Sequence, residues 1–254
     1  MAVVCRSVAC LRSSPSPRSE LLSQEVFGRT VAVESAMGDW AECVLADGYR
    51  GWMTARALGR GQTYDPTHIV VRRFAHLGTG GGSGLLLPMG SLLAVNSEGD
   101  EECRVNLPDG RPGSVPGDCV RQLRGLPWGF DRFPAIQKEV EGTPYLWGGK
   151  STFGFDCSGL VQVLLEFFGL DLPRDSKDQS ESGTPVESLR DARLYDLLFF
   201  GDGDLIDHVA IHLGDLSILH ASGNVKVESL AESSTLFRAD LLDRFRFARR
   251  VADV

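Results

Sequence analysis

The sequence predicts a multi-domain chain: two small all-β barrels followed by an α+β domain. Three observations predict it. Up to residue 124 the chain consists of short alternating runs, broken by SPSP, AMGDW, ADGYRGW, NSEGD and LPDGRPG. Regular turn signals of this kind mark small antiparallel barrels. Within that stretch WAECVLADGYRGWMTARAL is loosely echoed by EECRVNLPDGRPGSVPGDCV, a degenerate internal duplication. After a linker at 124–134, RGLPWGFDRFP, helical patterns come first and strand patterns follow, which is the order of an α+β domain.

The first barrel is expected over 1–62 and the second over 63–124. Asp47-Gly48 and Asp109-Gly110 supply their hairpin turns, because glycine accepts the positive φ such turns need. The second barrel carries GTGGGSG at 78–84, a loop tip rather than a phosphate cradle, since no Lys-Ser/Thr pair closes it. The α+β domain is expected over 125–254. PAIQKEVEG reads as a helix stopped by Gly142, and CSGLVQVLLEFFGL as a second helix stopped by Gly169. LLFFGD, DHVAIHLGD and SILHASG read as strands joined by tight turns.

Composition narrows the function classes. The 254 residues are 43% hydrophobic and 24% charged, and no apolar run reaches the ~18–20 residues that span a bilayer. A net charge of −8 argues against a broad basic surface for nucleic acid or anionic lipid. The start, MAVVCRSVACLRSSPSP, lacks a basic leader, and Arg6 and Arg12 interrupt any apolar core, so the expected location is the cytoplasm. Six cysteines at 5, 10, 43, 103, 119 and 157 contain no Cys-x-x-Cys pair, which disfavours zinc and dithiol redox sites. The expectation is reduced thiols, all but one of them packing.

The exception is Cys157. It opens a helix apolar on nearly every side (Leu160, Val161, Val163, Leu164, Leu165, Phe167, Phe168), so its amino end is expected to be part-buried and electropositive, favouring a thiolate. Packing is the plainer role for a lone thiol; a base within reach decides between them. His208 and His220 lie on neighbouring predicted strands. They share a face only if the register has an even sum, as a three-residue loop at 214–216 provides. His220 then sits opposite Ala210 and diagonal to His208, about 7–8 Å away. One imidazole takes the thiol proton and the other orients it. Asp156 is expected to cap the helix. His212 is expected in the core or at an edge, and His68 and His76 in solvent. His208-x3-His212 with Asp207 spreads too far along a strand to hold a metal.

PYLWGGKSTFGFDCSGLVQ, LPRDSKDQ, DLLFFGD, DHVAIHLGD and ILHASG together resemble the NlpC-type cell-wall peptidases, which have a papain-like fold. SELLSQEVFGR and DGYRGW resemble the SH3-like barrels that precede this domain in one branch, the γ-D-glutamyl-L-diamino-acid endopeptidases. The resemblance implies two bacterial SH3-like barrels and a papain-like catalytic domain, with Cys157 as nucleophile, His208 as base and His220 as orienter. It implies that Tyr145 donates its hydroxyl to the oxyanion, a contribution of about 2.7–4 kcal/mol for one such donor. It also implies that Asp175, Ser176 and Ser158 hold the free L-alanine amine of the substrate, that Tyr49 closes that pocket, and that Trp147 shapes its wall. A barrel glutamate also contributes in the branch; Glu20 is its match, since the other candidate position, after Gly28, is Arg29.

The implied reaction is hydrolysis of the γ-D-Glu–diamino-acid bond (meso-diaminopimelate or L-lysine) in wall peptides with a free N-terminal L-Ala. No cofactor, metal, nucleic acid or membrane partner is expected, and a monomer is compatible with the reaction. The competing readings are a wall-peptide binding module without catalysis, and a Cys/His amidase or acyltransferase of different substrate.

Overall fold

The structure is a computed structural model, and it describes residues 1–60, 64–79 and 84–252. Residues 80–83 of the GTGGGSG loop and the expected 62/63 boundary lie outside the described residues. The chain is mostly β and divides into two units, Met1–Leu126 with Trp147–Phe153, and Pro127–Leu146 with Gly154–Val254.

The first unit holds two seven-stranded sheets. One contains β1 (Ala2–Val4), β2 (Val8–Arg12), β3 (Leu21–Val26), β4 (Thr30–Met37), β5 (Trp40–Val44), β6 (Arg50–Thr54) and β7 (Leu58–Arg60). Its spatial order is β3-β2-β6-β5-β4-β1-β7. The other contains β8 (His68–Val70), β9 (Phe74–Thr79), β10 (Leu85–Pro88), β11 (Leu92–Ser97), β12 (Glu102–Asn106), β13 (Pro112–Pro116) and β14 (Val120–Gln122). Its order, β10-β9-β13-β12-β11-β8-β14, repeats the first strand for strand. The loose sequence echo therefore marks a true duplication of topology.

Each sheet wraps its own core. Leu11, Ala41, Cys43 and Met53 lie in the first, and Leu77, Leu87, Leu93 and Val105 in the second. Phe27 follows the last strand residue of β3 but packs in the second core. Gly28 allows this: with φ +81 its backbone approaches Leu92 so closely that a Cβ would lie 2.0 Å from the Leu92 carbonyl oxygen. Arg29 donates to the Gly90 carbonyl from Nε (3.2 Å) and Nη2 (3.1 Å). His68 departs from expectation. It is buried at 5% exposure, with Nδ1 2.9 Å from the Thr67 hydroxyl and Nε2 3.4 Å from Glu98, because its strand lies between β11 and β14. His76 is exposed.

Short strands β15 (Lys150–Ser151) and β16 (Gly154–Phe155) precede the long helix. The second unit contains α1 (Phe133–Val140), α2 (Cys157–Glu166), α3 (Ser176–Gln179) and α4 (Ala239–Arg244). Its sheet comprises β17 (Thr184–Val186), β18 (Leu197–Asp202), β19 (Leu205–His212), β20 (Ser217–Ser222), β21 (Asn224–Ser229) and β22 (Phe245–Arg250), in the order β17-β22-β18-β19-β20-β21. Every pairing in it is antiparallel. Residues Cys157 to Leu165 of α2 are all buried, as a helix apolar on all sides requires. Gly142 and Gly169, the expected helix stops, both adopt positive φ.

Candidate active site

Asp156 sets the start of α2. Its Oδ1 accepts the Gly159 N–H at 2.7 Å, the cap expected from sequence. The same carboxylate is gripped by Arg174, Nη1 to Oδ1 at 3.0 Å and Nη2 to Oδ2 at 2.5 Å, with both residues buried. Arg174 Nη1 also donates to the Ser158 hydroxyl at 2.9 Å. The Cys157 thiol follows this cap, 4.0 Å from the Asp207 carbonyl oxygen and against the Val209 N–H. These two backbone groups flank His208 on β19.

The expected thiolate at the helix start is not what the structure favours. Burial first, and the Asp156 carboxylate second, push the Cys157 thiol up to about 11. Backbone hydrogen bonds from Val209 and Ser158 and the charge of Arg174 act the other way and are outweighed. Asp156 takes the Gly159 N–H of the first turn.

The histidines fall as parity demands. Ile211 pairs with Leu219 and His212 with Ile218, and Leu213 N–H to Ser217 O (2.8 Å) closes the hairpin over residues 214–216. This even-sum register brings His208 Nε2 within 2.9 Å of His220 Nδ1. His220 is fully buried, and its Nε2 lies 2.7 Å from Glu228 Oε2. Burial, then the His220 charge, push His208 down to about 3. Burial also lowers His220, with Glu228 opposing. His212 is buried, its Nδ1 2.8 Å from the Arg193 carbonyl oxygen.

Tyr145 is held by its backbone N–H to Gly223 O (2.9 Å) and a bridge to Phe155. Burial, then the neighbouring Cys157, push its phenol up to about 12, so it remains an O–H donor at ordinary pH. Asp175 and Ser176 stand half-buried at the start of α3. The second unit thus brings Cys157, His208, His220, Tyr145 and Ser158 into one neighbourhood.

The remaining expected site residues belong to the first unit. Tyr49 packs half-buried against the first sheet's core. Exposed Glu20 accepts the indole N–H of exposed Trp147 at 2.9 Å. The segment after Trp147 is fastened to the two sheets of the first unit: Gln24 Oε1 accepts from Lys150 N and Ser151 Oγ at 3.0 Å, Lys150 pairs with Glu25 at 2.7 Å, and Thr152 Oγ1 donates to Arg73 O at 2.7 Å.

Sequence reasoning missed Glu228 and Arg174. The first was findable: Gly223 centres a tight hairpin pairing Ser222 with Asn224, so even-numbered residues of both strands share a face, and Glu228 is the carboxylate diagonal to His220. For Arg174, inside the quoted LPRDSKDQ, no local signal marks the burial.

A cysteine at the start of a buried helix, set against a hydrogen-bonded histidine pair on an antiparallel sheet, defines a candidate thiol hydrolase. A family model for the NlpC/P60 family matches residues 142–240, and one for the bacterial dipeptidyl-peptidase SH3 domain matches residues 11–58. The γ-D-glutamyl-L-lysine dipeptidyl-peptidase of Bacillus subtilis is 30% identical over 86% of this chain and 78% of its own length. Its Bacillus cereus namesake is 29% identical over 91% of this chain and 75% of its own. The crystal structure of an NlpC/P60 family protein from Bacillus cereus superposes with a TM-score of 0.87 at 24% identity, covering 98% of this chain and 99% of that one, a likeness of fold. The chain belongs to the NlpC/P60 family of cysteine peptidases.

Proposed function

We propose that this chain is a cysteine endopeptidase that hydrolyses the γ-D-Glu–L-diamino-acid bond, with L-lysine or meso-diaminopimelate, in peptidoglycan-derived peptides with a free N-terminal L-Ala. The observation that carries the reading is the 2.9 Å link between His208 and His220, beside the strand segment that Cys157 faces. Because thiol and imidazole both favour their neutral forms, the proton moves when substrate is present. Cys157 gives its proton to His208, and the sulfur attacks the γ-carbonyl carbon. The oxyanion accepts from the Tyr145 hydroxyl and the Cys157 N–H. As the tetrahedral adduct collapses, the C–N bond breaks and His208 returns the proton to the leaving amine. Water, deprotonated by His208, then cleaves the thioester and releases L-Ala-γ-D-Glu.

Asp175, Ser176 and Ser158 are assigned to the substrate ammonium, which a carboxylate suits. Ser158 takes one hydrogen bond from Arg174 and keeps a second lone pair for an N–H donor. Tyr49, Trp147 and Glu20 are assigned as substrate-binding residues. We further propose a papain-like α+β domain over 125–254 and SH3-like barrels over 1–62 and 63–124, the second supported by its repeated strand order. The activity is assigned to cytoplasmic recycling of wall peptides, which cell fractionation tests. For the reaction, L-Ala-γ-D-Glu-L-Lys and its meso-diaminopimelate counterpart are incubated with the wild type and Cys157→Ala. Release of L-Ala-γ-D-Glu by the wild type alone is expected, and release by Cys157→Ala would refute the proposal.

A further inference from the structure

A neutral imidazole has one donor and one acceptor nitrogen, so two linked imidazoles can order their protons in either of two directions. In one order His208 Nδ1 is a lone pair; in the other it carries a proton and is no base. Something outside the pair must select. His220 is fully buried, and its outer nitrogen meets the Glu228 carboxylate at 2.7 Å. An ionised carboxylate only accepts. His220 Nε2 therefore carries the proton and His220 Nδ1 is the lone pair. His208 Nε2, 2.9 Å from that lone pair, must then donate, leaving His208 Nδ1 unprotonated.

We propose that Glu228, clamped by Lys226 and Arg238, is the positioning residue that orders the protons along His220 and His208 and thereby makes His208 a base. This rests on the roles proposed above for Cys157, His208 and His220. The clamp is built for a carboxylate. Lys226 Nζ lies 3.2 Å from Oε1 and Arg238 Nη1 2.5 Å from Oε2. Arg238 is itself held by Asp240, Nε to Oδ1 at 2.8 Å and Nη2 to Oδ2 at 2.6 Å. The other nearby cation, Arg244 at the end of α4, is taken up by Asp207 at 2.7 Å and Asp202 at 3.4 Å. Burial opposes the charge on Glu228, but hydrogen bonds from His220 and Lys226 outweigh it and hold its carboxyl below the ordinary value. Glu228 touches no reacting atom and acts only through His220.

Glu228→Gln keeps the shape and reverses the chemistry. With its oxygen on the Lys226 side, the amide puts its NH2 where Oε2 had met both His220 Nε2 and Arg238 Nη1. Arg238 keeps Asp240, His220 Nε2 now faces a donor, and the proton order inverts. The test is 15N NMR of imidazole-labelled chain in the Cys157→Ala background, which needs no turnover, together with kcat and KM in the active background on L-Ala-γ-D-Glu-L-Lys. The expected result is a protonated Nε2 on both histidines in the chain with native Glu228, and a protonated Nδ1 on both in Glu228→Gln. A fall in kcat of up to roughly 10⁴-fold, the cost of a base histidine in the wrong tautomer, accompanies the inversion, with KM little changed and part of the loss restored by Glu228→Asp. His220 protonated at Nδ1 in the chain with native Glu228 overturns the proposal, even if the Glu228→Gln variant does not fold. Unchanged protonation and unchanged kcat in Glu228→Gln overturn it as well. Activity surviving in Cys157→Ala instead overturns the proposed function, and leaves the NMR result to judge Glu228.

Discussion

Arg174→Met should destabilise the second unit more than most single substitutions, through one identifiable cause. The guanidinium is 2% exposed and makes two bonds to Asp156, itself 7% exposed, and one to Ser158. Methionine preserves much of the volume but leaves a buried carboxylate without its counter-charge. Breaking one side of a buried pair costs about 3–5 kcal/mol. Asp156 keeps the Gly159 N–H at 2.7 Å, which places the expected loss near the lower end, about 3 kcal/mol. In a unit of this size that corresponds to a fall in Tm of roughly 10–15 °C. Asp156→Asn in the same chain should recover about 1–2 kcal/mol, because asparagine still caps the helix and no charge is stranded. Calorimetry on both single variants and the double variant closes a double-mutant cycle. If Arg174→Met melts within about 3 °C of the wild type, or if the double variant is no more stable than Arg174→Met, the stranded-charge argument is wrong.

Two other expectations follow from the same structure. His208 is lowered from 6.5 to about 3, so between those pH values the unfolded chain binds a proton that the folded one does not. Its contribution is present above pH 6.5 and is lost as pH falls toward 3, about 2 kcal/mol by pH 5; urea midpoints at pH 7.5 and 5 should differ less in His208→Gln than in the wild type. Gly28→Ala places a Cβ 2.0 Å from the Leu92 carbonyl oxygen at φ +81, costing at least about 1–2 kcal/mol from the left-handed backbone alone. Equilibrium denaturation measures that loss, and an unchanged midpoint would contradict the close approach.

What the sequence makes legible here is short-range and periodic. The strands of the sheet, the helix that opens on Cys157 and its cap at Asp156 all follow from pattern and turn chemistry. So does the face shared by His208 and His220, because the residues in one loop set a parity. Partners supplied from elsewhere in the chain are the part that pattern does not reach. Phe27 follows β3 but fills the core of the second sheet, and His68 sits on a strand paired on both edges, between β11 and β14. Arg174 stands in a polar stretch yet is sealed against a carboxylate 18 residues earlier. That last partner reverses a chemical expectation as well. The amino end of α2 is occupied by a carboxylate, so the helix does not by itself supply a thiolate. On the roles proposed for these residues, activation of Cys157 has to come from the sheet, where a half-buried carboxylate, two imidazoles and their hydrogen bonds determine which nitrogen is free to take the proton.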